Sequence, residues 1–239
     1  MRTADIEVKG LKKVYYKDRM EIPVLDGLNL TIAAGDFAVL MGPSGSGKST
    51  LLHLIGGLDS PTGGAVRVGD AQLERMSEAE LTTWRSRHVG FIFQMYHLVP
   101  VLTAAQNIEL PLLLFKMSSS ERKERVKTAL AIVGLGDRMD HRPNQLSGGQ
   151  EQRVAIARAI VTDPDVILAD EPTGDLDAKT SEEILNLLNL LNDEFNKTIL
   201  MVTHDPKAAA HGKRSLHLEK GQLEREEITT RQPVTAGAR

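Results

Sequence analysis

Residues Phe37-Ala38-Val39-Leu40-Met41-Gly42-Pro43-Ser44-Gly45-Ser46-Gly47-Lys48-Ser49-Thr50 decide the fold. The apolar run Phe37 to Met41 ends in a glycine-rich turn. From Lys48 to Gly56, Leu51, Leu52, Leu54 and Ile55 stand among small and polar residues. That order predicts strand, loop, helix. The loop matches G-x-x-x-x-G-K-[ST], and its chemistry follows from its residue types. Glycines let backbone N–H groups turn inward on an anion with no Cβ in the way. The helix beginning near Lys48 adds its N-terminal dipole. Lys48 can reach β- and γ-phosphates, and the Ser49 hydroxyl suits Mg²⁺. Gly42, Ser44, Gly45, Ser46, Gly47, Lys48, Ser49 and Thr50 are therefore candidate nucleotide-binding residues. A flexible glycine-rich loop could match the pattern by chance, but a strand before it and a helix after it argue otherwise.

Working outward, Val89 to Phe93 is a second strand candidate, ending at Gln94. The pattern is helical from Thr103 to Ile160, with breaks at Ser118 to Ser120, Gly134, Gly136 and Pro143. Val166 to Ala169 is a continuous apolar run ending in Asp170-Glu171-Pro172, as in a buried parallel strand. Ile184, Leu187, Leu188 and Leu191 recur at helical spacing. Thr198 to Val202 is strand-like again and ends at Thr203-His204-Asp205. Strands alternating with helices predict an α/β parallel sheet, whose ligands bind at the strands' carboxyl ends. Gly42, Gln94, Asp170, Glu171 and His204 all follow apolar runs and so converge there.

Asp170 can hold Mg²⁺ directly or through water. Glu171, one residue on, points elsewhere and suits a general base for an attacking water. Either acid could instead cap a helix or pair with a base, an alternative that stays open for Glu171. Leu146-Ser147-Gly148-Gly149-Gln150 precedes a helical stretch; alone, it reads as an N-cap serine with permissive glycines.

Taken with the phosphate loop, this LSGGQ stretch resembles the signature of the ATP-binding subunits of ABC transporters, over roughly Ile6 to Gly221. The resemblance implies a P-loop NTPase core with a mostly parallel sheet, an N-terminal antiparallel β region and a helical subdomain inserted at about residues 95–162. One ABC-type ATPase domain would span 1–225, and 226–239 is expected to be a flexible tail. Tyr15 or its neighbour Tyr16 would stack on adenine, with Tyr15 the candidate carried forward. Gln94 would touch Mg²⁺ and the attacking water, His204 the γ-phosphate, and Asp177 would couple two sites across a dimer. Gly45, Gly47, Lys48, Ser49 and Thr50 of one copy would bind the phosphates of ATP. Ser147, Gly148, Gly149 and Gln150 of a second copy would close on them from the other side. A second donor set arriving in trans suits electrostatic stabilisation of the transferring phosphoryl group. An integral membrane permease is the implied partner, placing the chain in the cytoplasm on the inner face of the membrane.

Leu51 to Asp59, Phe91 to Leu98 and Ala169 to Gly174 resemble the lipoprotein-release, macrolide-export and cell-division branch. Asp175 departs from the asparagine or alanine frequent there and adds a charge near the expected dimer seam.

Composition fits this reading. The chain has 239 residues, 41% hydrophobic and 26% charged, enough for a substantial core. With 32 acids against 29 bases it lacks the basic footprint of a nucleic-acid binder, and no nucleic-acid partner is expected. The absence of cysteine excludes disulfides, Cys-ligated metals and cysteine nucleophiles. The charged N-terminus argues against a secretory signal, and no window approaches the ~18 apolar residues of a membrane span. A soluble ABC ATPase acting on DNA or ribosomes is the alternative. The heptad insertion or second nucleotide domain of such proteins is not seen. A GTP switch is set aside because Asn196-Lys197-Thr198-Ile199 lacks the aspartate of the guanine-reading pattern.

Overall fold

The computed structural model describes residues 2–18 and 20–229. The chain begins with β1 (Ile6–Lys17), β2 (Met20–Ile32) and β3 (Phe37–Met41), followed by helix α1 (Lys48–Ile55). Next come β4 (Gly63–Val68), β5 (Ala71–Gln72), α2 (Glu78–His88) and β6 (Val89–Phe93). Helices α3 (Ala104–Glu109), α4 (Ser119–Ile132) and α5 (Gly148–Ile160) precede β7 (Val166–Asp170). Helix α6 (Ala178–Asp193), β8 (Thr198–Val202), α7 (Pro206–Ala209), β9 (Arg214–Glu219) and β10 (Gln222–Ile228) complete the order.

The short apolar runs are strands because both of their faces are buried. Alternate residues of β3, β7 and β8 serve two separate cores. Phe37, Val39, Ile167, Ala169, Ile199 and Met201 pack with α3 to α6 on one face. Ala38, Leu40, Val166, Leu168, Leu200 and Val202 pack with α1, α2 and the N-terminal strands on the other. This two-sided burial removes the polar–apolar alternation of a half-exposed strand.

The central sheet has the order β10-β9-β3-β8-β7-β6; all of its strands are parallel to their neighbours except β10, which pairs antiparallel with β9. A second sheet, β2-β1-β4-β5, is antiparallel. The α/β fold with a mostly parallel sheet and an antiparallel N-terminal region is thus observed. The breaks within the helical stretch have local causes. Thr103 and Ser118 cap α3 and α4 by accepting from Gln106 N and Glu121 N. Gly134, at φ +70°, ends α4 in the left-handed region.

One boundary differs from expectation. Residues 226–228, placed in the tail, pair in β10 with Leu216, Ser215 and Arg214 of β9. Edge-strand hydrogen bonds hold this polar segment, which has no apolar periodicity to announce it. Residues 230–239 of the expected tail lie outside the described residues.

Candidate functional site

The sheet register builds the site. Leu40 stands opposite Val202, Val202 opposite Asp170, and Asp170 opposite Phe93. The chain leaves these strands at one level, so the phosphate loop, His204, Asp170-Glu171 and Gln94 emerge side by side at the carboxyl edge.

Loop residues Gly42 to Gly45 and Gly47 to Thr50, with Val24, Glu171 and His204, wall a cleft of about 680 Å³. Gly42 adopts φ +148°, and a Cβ there would lie 2.1 Å from the Leu218 carbonyl oxygen. Only glycine fits so close to β9. The loop is also held from the β9–β10 turn, where Gly221 N donates to the Ser46 carbonyl at 3.2 Å. Lys48 is 8% exposed and donates to the carbonyls of Gly42 at 2.8 Å and Pro43 at 2.9 Å. Its ammonium is therefore fixed beneath the loop by carbonyls, with no acid among the described residues paired to it. Ser46 differs from its neighbours. Its side chain is buried with an unpartnered hydroxyl, and it does not line the cleft.

Beside the loop, the Ser49 hydroxyl lies 3.2 Å from Asp170 Oδ1. Burial pushes the Asp170 carboxyl above the usual range, against the opposing effect of the Ser49 hydrogen bond. Glu171 has φ +47°, unusual for a residue with a side chain, and its N–H donates to the Val202 carbonyl at 3.0 Å. This turns the Glu171 side chain into the cleft, where Oε2 lies 2.7 Å from His204 Nδ1.

Tyr15 and Tyr16 separate clearly. Tyr16 is 65% exposed, whereas the Tyr15 phenol donates to Asp59 Oδ2 at 2.7 Å, and Lys13 Nζ sits 4.7 Å from its ring centroid. Burial, with the Asp59 hydrogen bond, pushes the Tyr15 phenol up, and the Thr50 hydroxyl opposes it. Tyr15 therefore faces the phosphate-loop helix. Lys13 in turn donates to Asp59 Oδ1 at 2.6 Å.

Other candidates lie away from the cleft wall. Gln94 Nε2 donates to Asp175 Oδ1 at 3.0 Å. Asp177 is the N-cap of α6, accepting from Lys179 N and Thr180 N at 3.0 Å each and from the Thr180 hydroxyl at 2.6 Å. Ser147 caps α5 in a reciprocal box with Gln150. Gly148 faces the Tyr96 hydroxyl, and a Cβ on Gly149 would lie 2.3 Å from Thr180 Cγ2. Tyr96 is half-buried against this helix start. Sequence reading missed Val24, Lys13 and Asp59. No spacing in the sequence ties them to the nucleotide: Lys13 and Val24 reach the loop through the N-terminal strands, and Asp59 through the turn after α1.

A phosphate loop after a parallel strand, with its hydroxyl bonded to the acid that ends β7 on the far side of the intervening β8, defines a P-loop nucleoside triphosphatase. Among these, the chain belongs to the ABC transporter family, which matches residues 25–174, and it is an ATP-binding, ATP-hydrolysing subunit of that type. It is similar to an uncharacterized ABC transporter ATP-binding protein, MJ0796, of Methanocaldococcus jannaschii, with 48% identity covering 93% of this chain and 96% of that protein. A dimeric post-hydrolysis structure of MJ0796 bound to ADP and Pi superposes with a TM-score of 0.86 at 46% identity, covering 93% of this chain and 98% of that one. The lipoprotein-releasing system ATP-binding protein LolD of Chromohalobacter salexigens is 44% identical over 91% of this chain and 92% of its own. The macrolide export ATP-binding/permease protein MacB 1 of Yersinia pestis is 42% identical over 98% of this chain, which spans 36% of that longer protein.

Proposed function

We propose that two copies of this chain enclose ATP between the phosphate loop of one and the Ser147-to-Gln150 helix start of the other, driving an integral membrane permease. The observation that carries this reading is the common strand-end level of the loop, Asp170, Glu171 and His204. Within one chain, those groups meet a phosphate from one side. The capped start of α5 offers free amides outside the cleft wall, where a second copy can bring them.

In this account the amides around Gly45 and Gly47, with Lys48, bind the β- and γ-phosphates. Tyr15 stacks on adenine with the ring face that Lys13 leaves open. The Ser49 hydroxyl and Asp170 carboxylate are hard oxygen donors whose chemistry fits Mg²⁺, with Gln94 contributing an amide oxygen. A bound Mg²⁺ supplies Lewis-acid neutralisation of phosphate charge. Glu171 accepts a proton from the attacking water, and His204 holds the Glu171 carboxylate toward the γ-phosphate. Asp177 orders the start of α6 at the seam between copies.

No helix of the described residues is long and apolar enough to cross a membrane. A groove of about 480 Å³ between α2, β6 and the turn after α3 is lined in part by Leu58, Phe91, Phe93, Pro111 and Leu114. Leu114 of that lining is 72% exposed, and Met95, beside the groove, is 69% exposed. This apolar surface receives a cytoplasmic helix of the permease, which places the subunit on the inner face of the membrane. The branch is the lipoprotein-release and macrolide-export type, with one ATPase domain that runs through β10 to Ile228 and residues 95–162 as its helical insertion.

Ser147→Asp tests the arrangement. Aspartate caps a helix as well as serine does, so α5 remains folded, while its charge repels a phosphate brought in by the partner. The expected variant binds ATP as a monomer but neither dimerises nor hydrolyses it. Normal ATP-dependent pairing in light scattering would contradict the reading.

A further inference from the structure

Gln94 has a partner that the family motifs do not assign. The turn between β7 and α6 carries Asp175, and Gln94 Nε2 donates to its Oδ1 at 3.0 Å. The amide lies close against the backbone of Gly174, because a Cβ there would stand 2.9 Å from Gln94 Nε2 and 3.0 Å from Cδ. Meanwhile Ser49 and Asp170 bond to each other. Phe93 pairs with Asp170 across the sheet, so Gln94 begins one residue beyond the acid it is proposed to assist. Its donor end is nevertheless directed along the 171–177 turn.

We propose that Asp175 is a positioning residue that parks Gln94 on this turn while the nucleotide site is empty, and that the bond opens when Gln94 engages Mg²⁺-ATP. The proposal rests on the role given to Gln94 above. A carboxylate only accepts, so it captures the NH₂ end of the amide and keeps the side chain on the turn. A bond present only in the empty arrangement stabilises that arrangement alone and weakens nucleotide binding by the same factor. One exposed charge-assisted hydrogen bond is worth about 1 kcal/mol, or about fivefold in affinity.

The test uses the full chain and four variants: Asp175→Ala, Asp175→Asn, Gln94→Ala and the double variant Gln94→Ala/Asp175→Ala. Two quantities are read: Kd for a non-hydrolysable ATP analogue with Mg²⁺, and kcat with ATP. Asp175→Ala is expected to tighten Kd about fivefold with kcat unchanged. Asp175→Asn removes the charge but keeps an Oδ1 acceptor, and its Kd is expected to stay within about twofold of the parent. In the Gln94→Ala background, Asp175→Ala should leave Kd unchanged, because the parked group is gone. An unchanged or weaker Kd in Asp175→Ala overturns the proposal. So does equal tightening in Asp175→Asn, which would trace the effect to charge at the seam. Tightening that persists without Gln94 overturns it as well. If Gln94→Ala alone keeps full kcat, the role given to Gln94 fails, and that failure is read separately from the Asp175 results.

Discussion

Glu171 allows chemistry and stability to be pulled in opposite directions. It sits at φ +47°, a conformation that costs a side-chain-bearing residue about 1–2 kcal/mol. Glycine there removes that cost but gains freedom in the unfolded chain worth about 0.5–1 kcal/mol. The contact with His204 contributes little to stability, because the histidine side chain is 70% exposed. Glu171→Gly is therefore expected to stabilise the nucleotide-free protein by up to about 1.5 kcal/mol, raising Tm by up to about 6 °C for a domain of this size. Glu171→Gln keeps the shape and the strain, so its Tm should stay within about 1 °C of the parent. Both variants lose the base. Single-turnover phosphate release should fall by about 10²–10⁴, equivalent to about 3–5 kcal/mol in the barrier. Glu171→Gln should also accumulate as an ATP-bound dimer. Differential scanning calorimetry and rapid-quench hydrolysis, at a protein concentration that favours dimers, read the two effects separately. The reasoning is refuted if Glu171→Gly lowers Tm, since the left-handed backbone then carries no strain. It is refuted equally if Glu171→Gln hydrolyses ATP at the parent rate.

Two further outcomes follow from buried cations. Lys48→Ala removes a fixed ammonium from the phosphate site and should weaken ATP binding by about 10- to 100-fold, abolishing ATP-driven dimerisation in light scattering. Normal pairing would remove the loop from its role. Burial raises the Asp59 pKa, but the hydrogen bonds from Lys13 and Tyr15 outweigh it and hold the carboxyl below its ordinary value. A depressed carboxyl contributes stability above its unfolded pKa of about 3.9 and loses it as pH falls through the folded value. Lys13→Met should therefore cost about 1–3 kcal/mol at pH 7 and clearly less at pH 3, read by urea unfolding at both pH values. An equal loss at both would mean that packing, not charge, is what Lys13 provides.

The parallel core was legible in the sequence because its strands are buried on both faces and end in polar residues that apolar runs throw into relief. The run from Phe37 to Thr50 reads directly as strand, loop and helix because each carries its own chemistry. β10 did not read this way. Glu224, Arg225, Glu226 and Glu227 are surface residues of an edge strand held by pairing with β9, so no apolar alternation marks them. That Tyr15 turns toward the phosphate loop while Tyr16 does not also needed the structure. Adjacent strand residues face opposite ways, and only Asp59, brought close by the fold, shows which ring turns toward the loop. The capping role of Ser147 was visible as a pattern of serine followed by glutamine three residues on. Asp175 was visible as an unusual charge, but its bond to Gln94 joins the end of β6 to the turn after β7, distant in sequence, and no spacing rule finds it.

The central claim is that hydrolysis needs two copies around each ATP. Initial hydrolysis rate measured against total protein, at saturating Mg²⁺-ATP and across the dimerisation range, tests it most directly. The account predicts a rate that rises with the square of concentration when dilute and becomes proportional once dimers dominate. A rate proportional to protein down to the lowest concentration, from a chain that light scattering shows to be monomeric throughout, would contradict it.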